Sequence, residues 1–132
     1  MAMEPMAKKG NYFHVYDFRV KPGTAQRFIE LFEAFDYGPD NPFHKTSAQV
    51  KDGVIAQDTT DPDHLYLIGE CADIEVHAGL VKQQMASKEK PAFMDFIVPG
   101  TFKPVYAKIV MSTPQHILDK AAAQKTPAAA SA

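Results

Sequence analysis

Several features that mark particular classes of protein are missing from this sequence. Its 132 residues include one cysteine, Cys71, and no tryptophan. A lone cysteine excludes an internal disulfide and suits a reducing compartment, so we expect a cytoplasmic location. No apolar run approaches the roughly 18 residues that a membrane crossing needs. No apolar segment follows Lys8 and Lys9, so the start does not read as a signal peptide.

Charge of one sign is also missing. Fourteen basic and sixteen acidic residues give a net charge of -2. Without a basic excess we expect no nucleic-acid partner. Without a long apolar run we expect no membrane partner. The sequence has no zinc-ligand spacing, no glycine-rich phosphate loop and no serine nucleophile elbow. It therefore predicts neither a metal nor another cofactor.

The remaining sequence fits one small domain. Residues 1–10 show no periodicity, and the end of the chain is rich in small residues and broken by proline. These patterns predict a disordered N-terminal tail over 1–10 and a flexible C-terminal tail over 121–132. The folded domain is then expected over 11–120, including a C-terminal helix.

Hydrophobic periodicity predicts the element order β-α-β-β-α-β. The expected strands cover 12–20, 46–57, 65–71 and 101–111, and the expected helices cover 25–35, 73–87, 92–98 and a short segment from 114. Asp-Gly inside 46–57 leaves two alternatives open, one bulged strand or a hairpin. The order is the ferredoxin-like split pattern, an α+β fold with an antiparallel sheet and both main helices on one face.

Local signals refine this prediction. Thr24 and Asp73 can cap the two main helices, and Thr113 can cap the last helix with Pro114 in its first turn. Pro104 favours an edge position for the last strand. Phe13, on the strand face opposite the helices, predicts an apolar open face. We expect a homodimer to bury that face.

Three stretches carry a family resemblance: Val20-Lys21-Pro22-Gly23 before a helix with Phe28, the passage Leu67–Glu75 from strand to helix, and the closing strand around Tyr106. Together they resemble the antibiotic biosynthesis monooxygenase superfamily, the dimeric α+β barrels, over about residues 12–111. The resemblance implies that fold, and it implies cofactor-independent oxygenation of an aromatic substrate. It leaves the activity less specified than the fold.

The sequence also departs from that family. Cys71 stands where many members have tryptophan, and Leu80 stands where many have histidine, with His77 one turn earlier. At the positions of the asparagine, tryptophan and histidine of the haem-degrading branch, this chain has Tyr16, Leu80 and Lys90. The resemblance therefore does not extend to haem degradation.

If the fold is right, a cavity lies between the sheet and the helices. We expect His77 to be the catalytic residue, because a buried imidazole with a pKa near neutrality can take a proton from a phenol or quinol. The expected substrate-binding residues are His14, Tyr16, Phe32 and Tyr106. For each of them, simple packing inside the core is the competing interpretation.

The sequence therefore predicts a cofactor-independent monooxygenase that acts on a small aromatic phenol or quinol. Two alternatives stay open. One is a non-catalytic dimer of the same fold that binds a small ligand or has a structural role, which the missing tryptophan and displaced histidine favour. The other is a cofactor-free isomerase or decarboxylase.

Overall fold

The computed structural model describes residues 1–124, which form an antiparallel four-stranded sheet covered by helices. The strands are β1 (Tyr12–Arg19), β2 (Gln49–Gln57), β3 (His64–Cys71) and β4 (Lys103–Lys108). The helices are α1 (Ala25–Asp36), α2 (Ile74–Ala86) and α3 (Gln115–Ala122), with 3-10 turns at Pro42–His44 and Ala92–Phe96. The strand order is β2-β3-β1-β4, which confirms the predicted ferredoxin-like α+β fold.

β1 lies inside the sheet and carries the core. His14, Tyr16 and Phe18 alternate along it and are buried. Both main helices pack on this face, because Phe28 of α1 lies 5.4 Å from Phe18 between ring centroids and His77 of α2 contacts Tyr16. The prediction that both helices share one face is confirmed.

The connection from β1 to α1 follows from its sequence. The backbone N–H of Thr24 donates to the carbonyl of Lys21 at 3.1 Å, and Gly23 has a φ of 76°. A turn with Pro22 second and a positive φ third needs glycine there. The predicted cap by the Thr24 side chain is wrong, because its hydroxyl donates back to Lys21 at 2.6 Å and makes no capping bond.

Of the other two predicted helix caps, one is confirmed and one is wrong. Asp73 caps α2 as predicted, since its carboxylate accepts from the Val76 N–H at 3.1 Å. The predicted start of α3 is wrong by one residue. Pro114 is the N-cap, no side chain caps this helix, and the first helical residue is Gln115.

The structure decides whether the Asp-Gly pair within 46–57 lies in one bulged strand or in a hairpin. β2 is one strand with register shifts between Gln49 and Lys51 and between Lys51 and Val54, so the hairpin alternative is wrong. The bulge lets the chain accommodate Asp52-Gly53 without reversing direction. β4 is the other edge strand, which fits the position of Pro104.

The sheet face away from the helices is apolar and partly uncovered. Val54 and Val105 are 58% and 50% exposed on it, and Val15 pairs with Val105 across the ladder. At one end the face is covered by the N-terminal segment. There the Lys8 backbone N–H donates to the carboxylate of the buried Glu70 at 3.0 Å.

The predicted domain limits concern the two ends of the chain. The N-terminal segment bonds to the rest of the chain as well, since the Gly10 N–H donates to the carbonyl of Ile109 at 2.9 Å. Disorder over 1–10 stays a prediction. The predicted tail over 121–132 begins inside the last turn of α3, and residues 125–132 lie outside the described residues. None of the helices within residues 1–124 has the length and hydropathy that a membrane crossing requires.

Candidate functional site

A cavity of about 110 Å³ lies between the sheet and the two main helices, partly open to solvent. Four of the five predicted site residues line it: His14, Tyr16, Phe32 and His77. Further apolar walls come from Phe35, Leu67, Phe93, Met94, Ile97 and Phe102. A closed apolar cavity of about 150 Å³ takes benzene. This cavity is smaller than that and open on one side, so a single ring is the largest group that it can enclose.

The 3-10 segment Ala92–Phe96 closes one side of this cavity. The Lys21 N–H donates to the Phe96 carbonyl at 2.9 Å, and the Val98 N–H donates to the Arg19 carbonyl at 2.8 Å. These bonds hold the segment against the end of β1. The sequence predicted a short apolar helix over 92–98. The structure has a 3-10 turn over Ala92–Phe96 instead, and its side chains form a wall of the cavity.

At the inner end, one imidazole and two phenols form a compact triangle. The Nδ1 atom of His77 lies 2.9 Å from the hydroxyls of both Tyr16 and Tyr106, and these hydroxyls lie 2.8 Å apart. Burial raises the pKa of Tyr16, and its bond to Tyr106 adds to this. Burial lowers the pKa of His77 to about 4, so this imidazole is neutral at pH 7.

His14 stacks on His77, with ring centroids 4.2 Å apart and planes 20° from parallel. Its Nε2 lies 3.1 Å from the amide nitrogen of Gln49, and its Nδ1 has no partner among the described residues. Burial, and then the neighbouring His77, lower the pKa of His14 to about 4. The inner end of the cavity therefore carries two neutral, stacked imidazoles.

Tyr106 takes a different place from the one predicted. It is not among the residues that line the cavity, and it reaches the site only through its bonds to Tyr16 and His77. β4 brings it there, since Tyr106 pairs with His14 across the ladder. Its role as a substrate-binding residue stays a prediction, as do the roles of the other four.

The lining of the cavity includes two carboxylates that had no sequence signal, Asp36 and Asp52, and both lie near His44. His44 Nε2 lies 2.9 Å from an Asp52 oxygen and 3.4 Å from an Asp36 oxygen. Burial, and then Asp52, raise the pKa of Asp36. The three side chains come from the 3-10 turn, the bulge of β2 and the end of α1, so no sequence spacing announces the group. Their ligand atoms lie close enough together to hold a metal ion, but exposed acidic groups of this kind are common without one.

Two further residues of the inner end had no sequence signal. Gly69 faces His14 across β1 and β3, and a Cβ atom on it would collide with the imidazole. Gln49 reaches His14 from the start of β2. Neither a single glycine in a strand nor a glutamine at a strand end stands out before the strands are paired.

The strand order, the helices on one face and the enclosed cavity can be compared with solved structures. A proposed antibiotic biosynthesis monooxygenase from Bordetella bronchiseptica superposes with a TM-score of 0.58 at 10% identity, covering 78% of this chain and all of that one. The chain has the antibiotic biosynthesis monooxygenase fold. A proposed monooxygenase of the same description from Nitrosomonas europaea gives 0.55 at 13% identity, over 77% of this chain and 92% of that one.

This monooxygenase-like fold is shared with proteins of other descriptions. A NIPSNAP family protein of unknown function from Agrobacterium tumefaciens superposes with a TM-score of 0.57 at 14% identity, over 85% of this chain and 99% of that one. No family model and no curated protein matches the sequence. Likeness at such low identity establishes the fold, and activity has to be argued from the site.

Proposed function

We propose that the cavity binds a small aromatic phenol or quinol and that the protein oxygenates it without a bound metal or flavin. The observation that carries this proposal is a ring-sized apolar cavity that ends on two neutral imidazoles. Apolar walls with a few polar groups at one end are the usual form of a site for a small aromatic molecule. The substrate's oxygen would lie at His77 and His14, and its ring would pack against the wall that Phe32 and Phe93 form together, their ring centroids being 5.0 Å apart.

The proposed reaction converts a phenol and O₂ into a quinone and water. One oxygen atom forms the new carbonyl. The other leaves as water with the proton of the phenol and the proton of the ring carbon that is oxygenated. The electrons pass from the substrate to O₂, so no further reductant is needed. The site contributes by holding the anionic form of the substrate away from bulk water.

The second candidate function is binding without turnover. The low pKa of His77, about 4 because of burial, favours it. A base this weak accepts a proton from a phenol with a pKa of about 10 only at a large free-energy cost. No feature of the site geometry favours an isomerase or a decarboxylase over oxygenation or ligand binding, so we do not propose either activity.

We also propose that two copies associate through the open sheet face. Val54 and Val105 project from it at 58% and 50% exposure, next to the partly buried Val15 and Ile68. Burying this face in a second copy would remove apolar surface from water at about 25 cal/mol per Å². A cytoplasmic location likewise stays a prediction.

The test is oxygen consumption with a panel of single-ring phenols and quinols, corrected for uncatalysed oxidation. We expect protein-dependent uptake and, under isotopically labelled O₂, one labelled oxygen atom in the product. His77→Ala should lose most of the uptake. His116→Ala, which changes an exposed histidine of α3, should keep it.

The outcomes separate the two candidates. Binding of a phenol by calorimetry without any protein-dependent uptake would favour the ligand-binding function. Full uptake by His77→Ala would remove this cavity as the reaction site. Absence of both binding and uptake across the panel would contradict the proposed function altogether.

A further inference from the structure

The hydrogen-bond triangle determines which nitrogen of His77 carries the proton. The hydroxyls of Tyr16 and Tyr106 bond to each other and to Nδ1, and neither has another acceptor among the described residues. If Nδ1 accepts, one phenol donates to it and the second phenol donates to the first. If Nδ1 carried the proton, one of the two hydroxyls would be left without an acceptor in the triangle. Nδ1 is therefore the acceptor, and neutral His77 carries its proton on Nε2.

The same reasoning places the proton of His14. The Gln49 amide nitrogen lies 2.7 Å from the carbonyl oxygen of Lys51, so this atom must be the NH₂ group and not the oxygen. The same NH₂ group lies 3.1 Å from His14 Nε2 and 3.5 Å from the carbonyl oxygen of Glu70. Because an NH₂ group can only donate, His14 Nε2, the nearer atom, accepts from it. Neutral His14 then carries its proton on Nδ1, and this buried N–H has no acceptor among the described residues.

On these tautomers His77 Nε2 and His14 Nδ1 each carry an N–H group, and residues 1–124 offer no acceptor to either of them. The His14 Nδ1 atom is shielded from solvent in the unliganded protein. We propose that this pair is a binding site for an acceptor oxygen, and that the ligand presents a phenolate or an aromatic carbonyl to it, with Tyr16 and Tyr106 as positioning residues. Both imidazoles are neutral at pH 7, so each donates one proton and neither competes as a cation.

This inference rests on the proposed function for the presence of an aromatic ligand, and it narrows the ligand class. His77 does not take the substrate proton in this arrangement, because Nε2 already holds a proton and Nδ1 accepts from a phenol of the triangle. The preferred phenols are those acidic enough to lose their proton to water before they enter. Aromatic ketones and quinones fit the same donors.

The first experiment is ¹⁵N NMR of the ring nitrogens in the unliganded full-length protein at about pH 7.5. We expect His77 with a protonated Nε2 and an accepting Nδ1, and His14 with a protonated Nδ1. A protonated Nδ1 in His77, or rapid averaging of its two tautomers, would overturn the inference. This reading needs no substrate, so it is independent of whether the protein oxygenates anything.

Variants test whether the two phenols position His77. Replacing both by Tyr16→Phe and Tyr106→Phe should abolish the preference for a protonated Nε2, while Tyr37→Phe, at an exposed tyrosine bonded to Glu33, should leave it unchanged. Thermal unfolding shows whether the double variant is folded. An unchanged His77 tautomer in a folded double variant would refute the positioning role.

A ligand probe tests the donor role directly. We expect 4-nitrophenol to bind mainly as the coloured phenolate, and His77→Phe to raise the pKa of the bound probe by about one unit or more, since one good hydrogen bond to a charged oxygen is lost. Preferential binding of the neutral phenol would overturn the inference. Failure of the probe to bind would count against the proposed function. The NMR measurement of the His77 and His14 tautomers would then decide whether the inference about the two N–H donors holds.

Discussion

Gly69 of β3 lies directly opposite His14 of β1, and the side chain that Gly69 lacks leaves the space that the imidazole occupies. A Cβ atom on Gly69 would collide with His14 Nε2 and lie 2.9 Å from the Gln49 amide nitrogen. The position of the His14 imidazole therefore depends on Gly69 in the neighbouring strand. So does the position of its N–H group, which lies on the side away from Gln49.

We therefore expect Gly69→Ala to lower the free energy of unfolding by about 1–3 kcal/mol, the usual cost of overpacking a buried site. Urea unfolding measures this change. The control is Gly79→Ala in α2, where an added Cβ meets nothing within 4 Å, so helix propensity should raise the stability by up to about 1 kcal/mol. Equal effects of the two substitutions would contradict this account.

Stability should fall as the pH falls below about 6.5. The pKa of His77 and of His14 is about 4 in the folded protein against 6.5 for an unperturbed imidazole, so the unfolded chain binds protons that the folded protein does not. For each imidazole, proton uptake by the unfolded chain lowers the free energy of unfolding by up to about 3 kcal/mol. This stability is fully present above pH 6.5 and is lost progressively as the pH falls to about 4. The raised pKa of Asp36 acts in the opposite direction.

Urea unfolding at about pH 7.5 and pH 5 measures this loss. His77→Gln should reduce the dependence on pH, whereas His116→Gln, at an exposed position, should preserve it. A His77→Gln protein with the same pH dependence as the unsubstituted protein would show that burial does not hold this imidazole neutral.

Phe28 connects α1 to the sheet. It is 1% exposed and contacts Phe18, Phe32 and Phe93 through its ring. Phe28→Ala should lower the free energy of unfolding by about 3–5 kcal/mol, and Val110→Ala, at a residue 70% exposed, should change it by less than about 0.5 kcal/mol. Thermal and urea unfolding give both values. A loss below about 1 kcal/mol for Phe28→Ala would mean that α1 is not anchored by this ring.

Val54 tests the proposed dimer. Val54→Asp places a charge on the open sheet face, where a second copy would have to bury it, so the dimer should dissociate at concentrations where the unsubstituted protein remains associated. Val76→Asp, on α2 at 43% exposure, is the matched control and should leave association unchanged. Sedimentation velocity reports both. A dimer unaffected by Val54→Asp would place the interface elsewhere.

Cys71 should be chemically silent in the folded protein. It is 0% exposed, and burial, followed by the charge of Asp73, raises the pKa of its thiol. Ellman's reagent should therefore react fully only after unfolding, since the thiolate is the reactive form and is neither populated nor accessible. Rapid stoichiometric reaction under native conditions would show that β3 opens locally.

The sequence could predict the site residues whose face follows from the repeat of a strand or a helix. His14 and Tyr16 alternate on one strand and His77 lies on the inner stripe of α2, so their faces follow from strand and helix geometry. Tyr106 could be placed on the last strand but not relative to the cavity. Its position behind Tyr16 depends on the register between β1 and β4, which no local pattern encodes.

Local chemistry alone determined the element order, the turn at Pro22–Gly23 and the cap at Asp73, because each depends on residues close in the chain. The ferredoxin-like arrangement was predicted from that order, and the pairing of distant strands produces it. Only the tertiary structure decided that β2 is one bulged strand, that Gly69 makes room for His14, and that Asp36 meets His44 and Asp52 beside the cavity. The proton positions on the two imidazoles also depend on partners 29 to 61 residues away in sequence. Such contacts form only when strands pair and helices dock, so their energetics cannot be obtained from any single segment of the chain.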